Sequence, residues 1–278
     1  MQIGVFIFAT DYSIQLDELA PELEARGFES LFLPEHTHIP TSRISPWPGG
    51  GDLPKEYWHT HDPFVALTAA AMKTTTLKLG TGICLVPQRD PIVTAKSVAS
   101  VDMFSHGRFI FGIGGGWNVE EMNDHGAQYD TRFRLLRENV LAMKALWTEE
   151  EAAFHGEFVN FDACWSYPKP VQQPHPPVIL GGETKYTLAR VAEFCDGWLP
   201  RATDTFDPEE AMAQLRQAAD AAERDAAELP VTVFRAPAEA QVLERYAQAG
   251  ISRGLLALPS EGRETILPML DDYAKLIG

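Results

Sequence analysis

Short runs of apolar residues alternate along this chain with longer segments whose apolar positions recur every three or four residues. The first run, VFIF at residues 5–8, reads as a buried strand. It leads into residues 14–26, where Leu16, Leu19, Ala20 and Leu23 fall on one helical face and Gly27 ends the helix. SLFLP at residues 30–34 is the next strand. The prolines and glycines of TSRISPWPGGGDLPKEYWHTHD then forbid regular structure until Asp62-Pro63 opens a helix running to Met72. Aspartate suits the cap of that helix and proline its first turn.

The alternation repeats to the end of the chain. LKLGTGICLV, RFIFGIGGG, PVILGG, GWLP, PVTVF and RGLLALP read as strands, and the segments 92–105, 133–147, 187–195, 208–229, 239–250 and 264–277 read as helices. After Gly156, the stretch FVNFDACWSYPKPVQQPHPP reads as extended or hairpin-like and then proline-locked. Fully apolar strands alternating with helices require a parallel sheet covered by crossover helices. Eight strand–helix pairs in 278 residues predict an α/β fold of the (β/α)8 TIM-barrel type. An open doubly wound sheet is the alternative. It fits less well, because the glycine-rich GIGGG follows the fourth strand and a dinucleotide fingerprint belongs after the first. No linker divides the chain, so residues 1–278 are expected to form a single barrel domain, with 40–61 and 154–177 as insertions walling an active-site pocket.

Composition narrows the function classes. Hydrophobic residues at 45% and charged residues at 22% describe a globular protein with a sizeable core, and no run is apolar enough to cross a membrane. MQIGVFIF has neither the basic start nor the cleavage site of a signal peptide, so a cytoplasmic location is expected. Cys84, Cys164 and Cys195 are widely separated and odd in number, which suits buried thiols more than a disulfide framework. The net charge of -16 argues against nucleic acid and anionic membrane partners and leaves a small-molecule substrate open. It also means that any anionic cofactor needs a local group of donors.

In a barrel, chemistry belongs at the carboxyl ends of the strands. That rule places Glu35 and His36 after the second strand, Gly82 and Ile83 after the third, Gly114, Gly115, Gly116, Trp117 and Asn118 after the fourth, and Gly181, Gly182, Glu183, Thr184 and Lys185 after the fifth. His36 can take or give one proton beside a bound substrate. Glu35 could orient it, or pair with a basic group such as Arg89. The glycine runs leave backbone amides open to a flat ring or a phosphate. The second enters a helix directly, so Gly182, Glu183, Thr184 and Lys185 can supply amides, a hydroxyl and an ammonium to a phosphate. His36, His38, His59 and His61 form two HxH pairs, but no third element completes a site and no metal is expected. Neither a GxSxG elbow nor a recognisable Cys–His arrangement supports nucleophilic catalysis. Phe6, Phe8, the 40–61 segment with Trp47, Tyr57 and Trp58, and residues 165–170 are the expected substrate contacts.

The order of GFESLFLPEHTHIP, LKLGTGICLVPQRDPIVTAKSVASVD, SHGRFIFGIGGGWNVEEM, ALWTEE, FHGEFVNF, PKPVQQPHPPVILGG and DGWLP resembles that of the luciferase-like monooxygenase superfamily. Within it, the chain resembles the oxidoreductases dependent on the deazaflavin coenzyme F420. The resemblance implies a barrel with the cofactor ring over the strand ends, His36 beside that ring and a nonprolyl cis peptide at Gly82-Ile83 backing it. It further places Gly114, Gly115, Gly116, Trp117 and Asn118 near the ring and its sugar-alcohol chain, and Gly181, Gly182, Glu183, Thr184 and Lys185 at the phosphate. By the same resemblance the chain would be a homodimer and would transfer a hydride between coenzyme F420 and a small organic substrate. An FMN-dependent monooxygenase supplied by a separate reductase is the chief alternative, and a barrel that binds a cofactor without turnover is another.

Overall fold

The computed structural model describes residues 1–277. The first half of the chain runs β1 (Gln2–Phe6), α1 (Leu16–Ala25), β2 (Ser30–Leu33), α2 (Pro63–Ala71), β3 (Lys78–Thr81), β4 (Cys84–Leu85), α3 (Pro91–Phe104), β5 (Phe109–Gly114), α4 (Val119–Asp124) and α5 (Arg132–Thr148). The second half runs β6 (Ala152–His155), β7 (Asn160–Cys164), β8 (Val178–Gly181), α6 (Lys185–Phe194), β9 (Gly197–Leu199), α7 (Pro208–Ala221), β10 (Thr232–Phe234), α8 (Ala240–Ala249), β11 (Arg253–Ala257) and α9 (Arg263–Ala274).

Parallel strands follow one another in the order β10, β11, β1, β2, β3, β5, β8, β9. Two isolated parallel bridges, Trp198 with Val231 and Arg201 with Phe234, join β9 to β10 and nearly close the ring. This is the α/β barrel that the alternation of elements predicts. Its outer core lies between strands and helices, where Leu31, Leu79, Phe109 and Leu180 meet Leu19, Leu67, Val98 and Val140. The interior is filled by Phe6, Phe8, Phe32, Ile110, Ile179, Leu199 and Leu255.

Several local expectations have a visible physical basis. The four residues assigned to the buried face of the first helix are all buried, and Gly27 follows at φ +82°. Asp62 caps α2 by accepting the N–H groups of Phe64 and Val65 at 2.9 and 3.0 Å. The third strand divides into β3 and β4 at the Gly82–Ile83 peptide, which is cis. The helix expected over 208–229 stops at Ala221, because Glu223 turns to φ +55° and a separate 3-10 turn, Ala226–Glu228, follows. The hairpin of β6 and β7 starts at Ala152, ahead of Gly156. Cys84 and Cys195 are buried free thiols, whereas Cys164 is half-exposed.

The position of that hairpin corrects the expected pocket walls. It connects α5 to the amino end of β8, so its base lies at the end of the barrel opposite the strand carboxyl termini, while its turn folds back along the outside of α5, where Glu157 pairs with Arg134 at 2.5 Å and the Glu157, Phe158 and Val159 N–H groups donate to Glu138. Its contacts agree: Lys169 donates to the Leu146 and Glu149 carbonyls at the end of α5, and Gln172 binds the buried Asp102 of α3. No residue of 154–177 lines the main cavity.

An ion pair secures this same end. Glu29, just before β2, accepts from Arg253 Nε and Nη2 of β11, both at 2.6 Å, with both side chains largely buried. Burial alone would raise the Glu29 carboxyl, but the hydrogen bonds and charge of Arg253 hold it at about 2. A carboxyl depressed in this way contributes stability that is complete above its unfolded pKa and is lost as pH falls through its folded value. The Glu29 contribution, about 3 kcal/mol at most, is therefore expected to fade between pH 4.5 and 2. Urea midpoints of the wild type and Glu29→Gln should differ above that window and converge within it; parallel curves would refute the assignment.

Candidate active site

A cavity of about 550 Å³ opens at the carboxyl ends of the strands. Its floor is made by Gly82, Ile83, Leu85, Gly114, Gly115 and Gly116, and its rim continues through Gly181, Gly182, Glu183 and Thr184. Gly116 at φ +76° and Gly182 at φ +123° hold backbone conformations that side chains disfavour. A Cβ at Gly182 would also stand 2.9 Å from Thr187 Oγ1.

His36 stands at one end of the cavity, three residues past β2 and only 8% exposed. Its Nδ1 lies 2.8 Å from Glu121 Oε2, and Trp117 Nε1 donates to its Nε2 at 3.3 Å. Glu121 is fully buried and takes the Thr37 N–H on its other oxygen at 3.2 Å. The local sequence explains this placement. Asn118 ends the glycine run and caps α4 by accepting the Glu121 N–H at 3.0 Å, which sets Glu121 on the first turn. In an Asn-x-x-Glu capping box the glutamate would reach back to the cap residue, whereas here it reaches across to His36. Asn118 is buried under the site as a cap and does not line the cavity.

Glu35 turns away from His36. Its Oε1 accepts from Arg89 Nε at 2.6 Å and from Arg89 Nη2, while its Oε2 accepts the Leu85 N–H at 2.7 Å. Arg89 also reaches the helix cap Asp62 at 2.6 Å. Of the two roles open to Glu35 from sequence, the structure selects the pair with Arg89, which ties β2, β4 and α2 together below the cavity floor. The other histidines disperse: His38 meets Asp124 at 3.0 Å and His59 meets Asp11 at 2.8 Å. Among the described residues no group of three or more His, Cys, Asp or Glu is placed to hold a metal ion.

Aromatic side chains surround His36. Tyr57 and Trp117 lie with ring centroids 5.2 and 5.7 Å from the imidazole, and Phe8 packs 4.7 Å from Tyr57. Burial raises the Tyr57 hydroxyl pKa. Trp47 packs behind Tyr57, Phe6 stacks on Phe234, and Trp58 faces outward, so Tyr57 is the residue of the 40–61 loop that reaches the cavity.

The opposite end of the cavity is cationic, through residues that the glycine patterns do not reveal. Arg132 opens α5, and Arg190 lies on α6 one turn after Thr187, on the same face. Their guanidinium carbons sit 4.5 and 4.1 Å from the Phe133 ring centroid. Arg132 donates to the Tyr129 carbonyl at 2.6 Å, but its Nε is buried without a partner. Burial and then the neighbouring charge of Arg132 lower the Arg190 pKa. Among the described residues neither has a carboxylate within salt-bridge distance, whereas Arg201 is paired to Glu183 at 2.9 Å. Lys185, expected at this position, starts α6 with its ammonium over Tyr186 and does not line the cavity.

An eight-stranded parallel barrel with such a cavity at its strand carboxyl ends is an enzyme scaffold of the (β/α)8 class. The chain belongs to the luciferase-like monooxygenase family, which matches residues 1–264. It is 39% identical over 268 residues to an uncharacterized protein of Mycobacterium tuberculosis, covering 95% of this chain and 94% of the relative. Its fold is similar to that of the monooxygenase RslO1 from Streptomyces bottropensis, with TM-score 0.78, 19% identity, and 100% and 98% of the two chains covered. It is also similar to that of an F420-dependent secondary alcohol dehydrogenase in complex with an F420-acetone adduct, with TM-score 0.76, 17% identity, and 99% and 97% covered. Membership places the chain in a superfamily of flavin- and deazaflavin-dependent oxidoreductases and monooxygenases. No helix of the described residues is long and apolar enough to cross a membrane.

Proposed function

We propose that this protein is an F420-dependent oxidoreductase that transfers a hydride between the deazaflavin coenzyme and a small organic substrate, with the whole chain acting as one barrel in the cytoplasm. The observation that carries the proposal is the polarity of the cavity. Two guanidiniums that have no carboxylate at salt-bridge distance among the described residues stand at one end, a buried imidazole stands at the other, and a glycine floor lies between them. The donor set fits a flat cofactor with an anionic tail. Arg132, Arg190, Thr184 and Thr187 would hold the phosphate, and the Gly82, Ile83, Gly114, Gly115 and Gly116 backbone would back the ring. When bound, the deazaflavin supplies a carbon that gives or takes a hydride.

The chain's own groups do the rest. His36 manages the one proton that accompanies hydride transfer. Phe8, Tyr57, Trp117 and Phe234 exclude water and hold an apolar substrate against the ring. The Glu35–Arg89 pair fixes the floor. A homodimer fits the exposed apolar side chains of Val65 on α2 and Ile92, Val93, Met103 and Phe104 on α3.

Parallel titrations with coenzyme F420 and FMN, followed by tryptophan quenching, test the cofactor. Saturable micromolar or tighter binding of F420 with at least tenfold weaker binding of FMN is the expected result. The reverse order would assign the chain to the FMN-dependent monooxygenases, which need reduced flavin, dioxygen and a separate reductase. Binding of neither would refute the proposal.

A further inference from the structure

We propose that Arg201 is a substrate-binding residue that grips a carboxylate, and that the site accordingly accepts a carboxylic acid with an apolar body. The reaction in which such an acid takes part rests on the hydride-transfer proposal above; its binding does not.

The backbone of Arg201 is fixed where the barrel closes. The Phe234 N–H donates to the Pro200 carbonyl and the Ala202 N–H to the Phe234 carbonyl, both at 2.8 Å. Arg201 and Phe234 are thus in parallel register, and their side chains line the cavity together, across the ring from β3. Phe234 is held by its stack on Phe6, with centroids 3.8 Å apart. The guanidinium, by contrast, is 55% exposed, and among the described residues it meets only Glu183.

Glu183 shows what this guanidinium recognises. Nε and Nη2 donate to the two oxygens of one carboxylate at 2.9 and 3.0 Å, the parallel fork that suits a planar acid. The pair opens at little cost. Both partners are partly exposed, and ion pairs of that kind contribute little to stability. Glu183 Oε1 also accepts the Arg201 N–H at 3.0 Å, a bond it keeps when the guanidinium turns away. A carboxylate that arrives on an apolar body brings its own shield from water, and the new pair is stronger than the exposed one it replaces. The buried Glu35–Arg89 pair under the floor has no such freedom.

The neighbourhood favours an anion with an apolar body. Arg235 follows Phe234, exposed and with no carboxylate at salt-bridge distance among the described residues. Burial raises the Tyr57 hydroxyl pKa most; the charges of Arg235 and Arg201 reach the same hydroxyl and oppose that rise, and Glu56 acts the other way. Phe8, Tyr57 and Phe234 supply the apolar wall beside Arg201. Arg132 and Arg190 gather separately around Phe133, so a cofactor phosphate and a substrate carboxylate each have their own cation.

Calorimetric titration with 4-phenylbutyrate and octanoate, each beside its primary amide, tests the proposal on the free and on the F420-loaded protein. Each acid is expected to bind roughly tenfold or more tighter than its amide. Arg201→Gln should abolish that preference and Arg201→Lys should restore part of it. Glu183→Gln removes the internal competitor and should enlarge it, while the amides bind alike to all variants. Both residues are partly exposed, so these proteins are expected to fold. An Arg201 that serves only to neutralise Glu183 would leave acids and amides indistinguishable, or both unbound, and either result overturns the proposal. A preference that survives Arg201→Gln and disappears in Arg132→Ala would put the acid at the phosphate end and overturn it too. Binding of F420 without any acid preference would sink this proposal alone, whereas an Arg201-dependent preference in a protein that does not bind F420 would sink the cofactor proposal and leave this one standing.

Discussion

Replacing His36 with alanine is expected to lower turnover by roughly 10²–10⁴-fold, the usual contribution of a placed acid–base group, while leaving cofactor affinity essentially unchanged. The separation follows from where the two functions sit. The imidazole stands among Tyr57, Trp117 and Phe8, whereas the cations that suit an anionic tail lie around Phe133 at the other end of the cavity. Alanine also removes the partner of a fully buried carboxylate, and such an orphaned charge is expensive, so the variant should lose thermal stability as well. His36→Asn separates the effects, because its amide nitrogen can still donate to Glu121. It should fold like the wild type and remain as inactive as the alanine variant. Steady-state turnover, cofactor titration and thermal unfolding on the three proteins decide the matter. Wild-type turnover in His36→Asn would remove His36 from the chemistry.

Loss of Arg132 or Arg190 is expected to act in the opposite sense, on affinity first. A hydrogen bond to a charged partner contributes about 1.5–3 kcal/mol, so each arginine-to-alanine change should weaken F420 binding by roughly 10- to 150-fold. The double change should fall short of the product, since both guanidiniums would address one anion. Two cations held against one phenyl ring without a carboxylate are unfavourable in a chain that carries 39 acidic residues and could have supplied one. Isothermal titration at several salt concentrations should give a shallower salt dependence for each variant than for the wild type. Unaltered affinity in both variants would return the anion to Lys185 and the α6 amino end.

The barrel was legible because its signals are redundant. Strands such as residues 109–114 are apolar at nearly every position, the helices carry one buried stripe, and Asp62-Pro63 marks a boundary by two independent means. The end of α7 was not legible, since Ala222, Glu223 and Arg224 suit a helix and the turn there is imposed by a positive φ at Glu223. Glycine placement located the cavity floor and the rim at Gly182, because open backbone is a property of residue type. Glu121 escaped because its role depends on which way a capping side chain turns, although Asn118 followed by Glu121 does signal the short helix that carries it. Arg190 escaped for a related reason. The eye follows the sequence neighbour Lys185, whereas the helix brings round the residues at Thr184, Thr187 and Arg190. The hairpin was misplaced because its aromatic and proline content resembles that of a lid. Which end of a barrel a loop serves is set by whether it enters or leaves a strand, and hairpin composition does not record that.

That placement has a practical side. The outer strand of the β6–β7 hairpin and the residues after it, with exposed Asp162 and Trp165, lie on the outside of the barrel and contribute nothing to the cavity lining. An affinity tag, a fluorophore or a surface tether introduced there would leave the mouth facing solution. The hairpin is thus the natural handle for immobilising or labelling this protein without disturbing its chemistry.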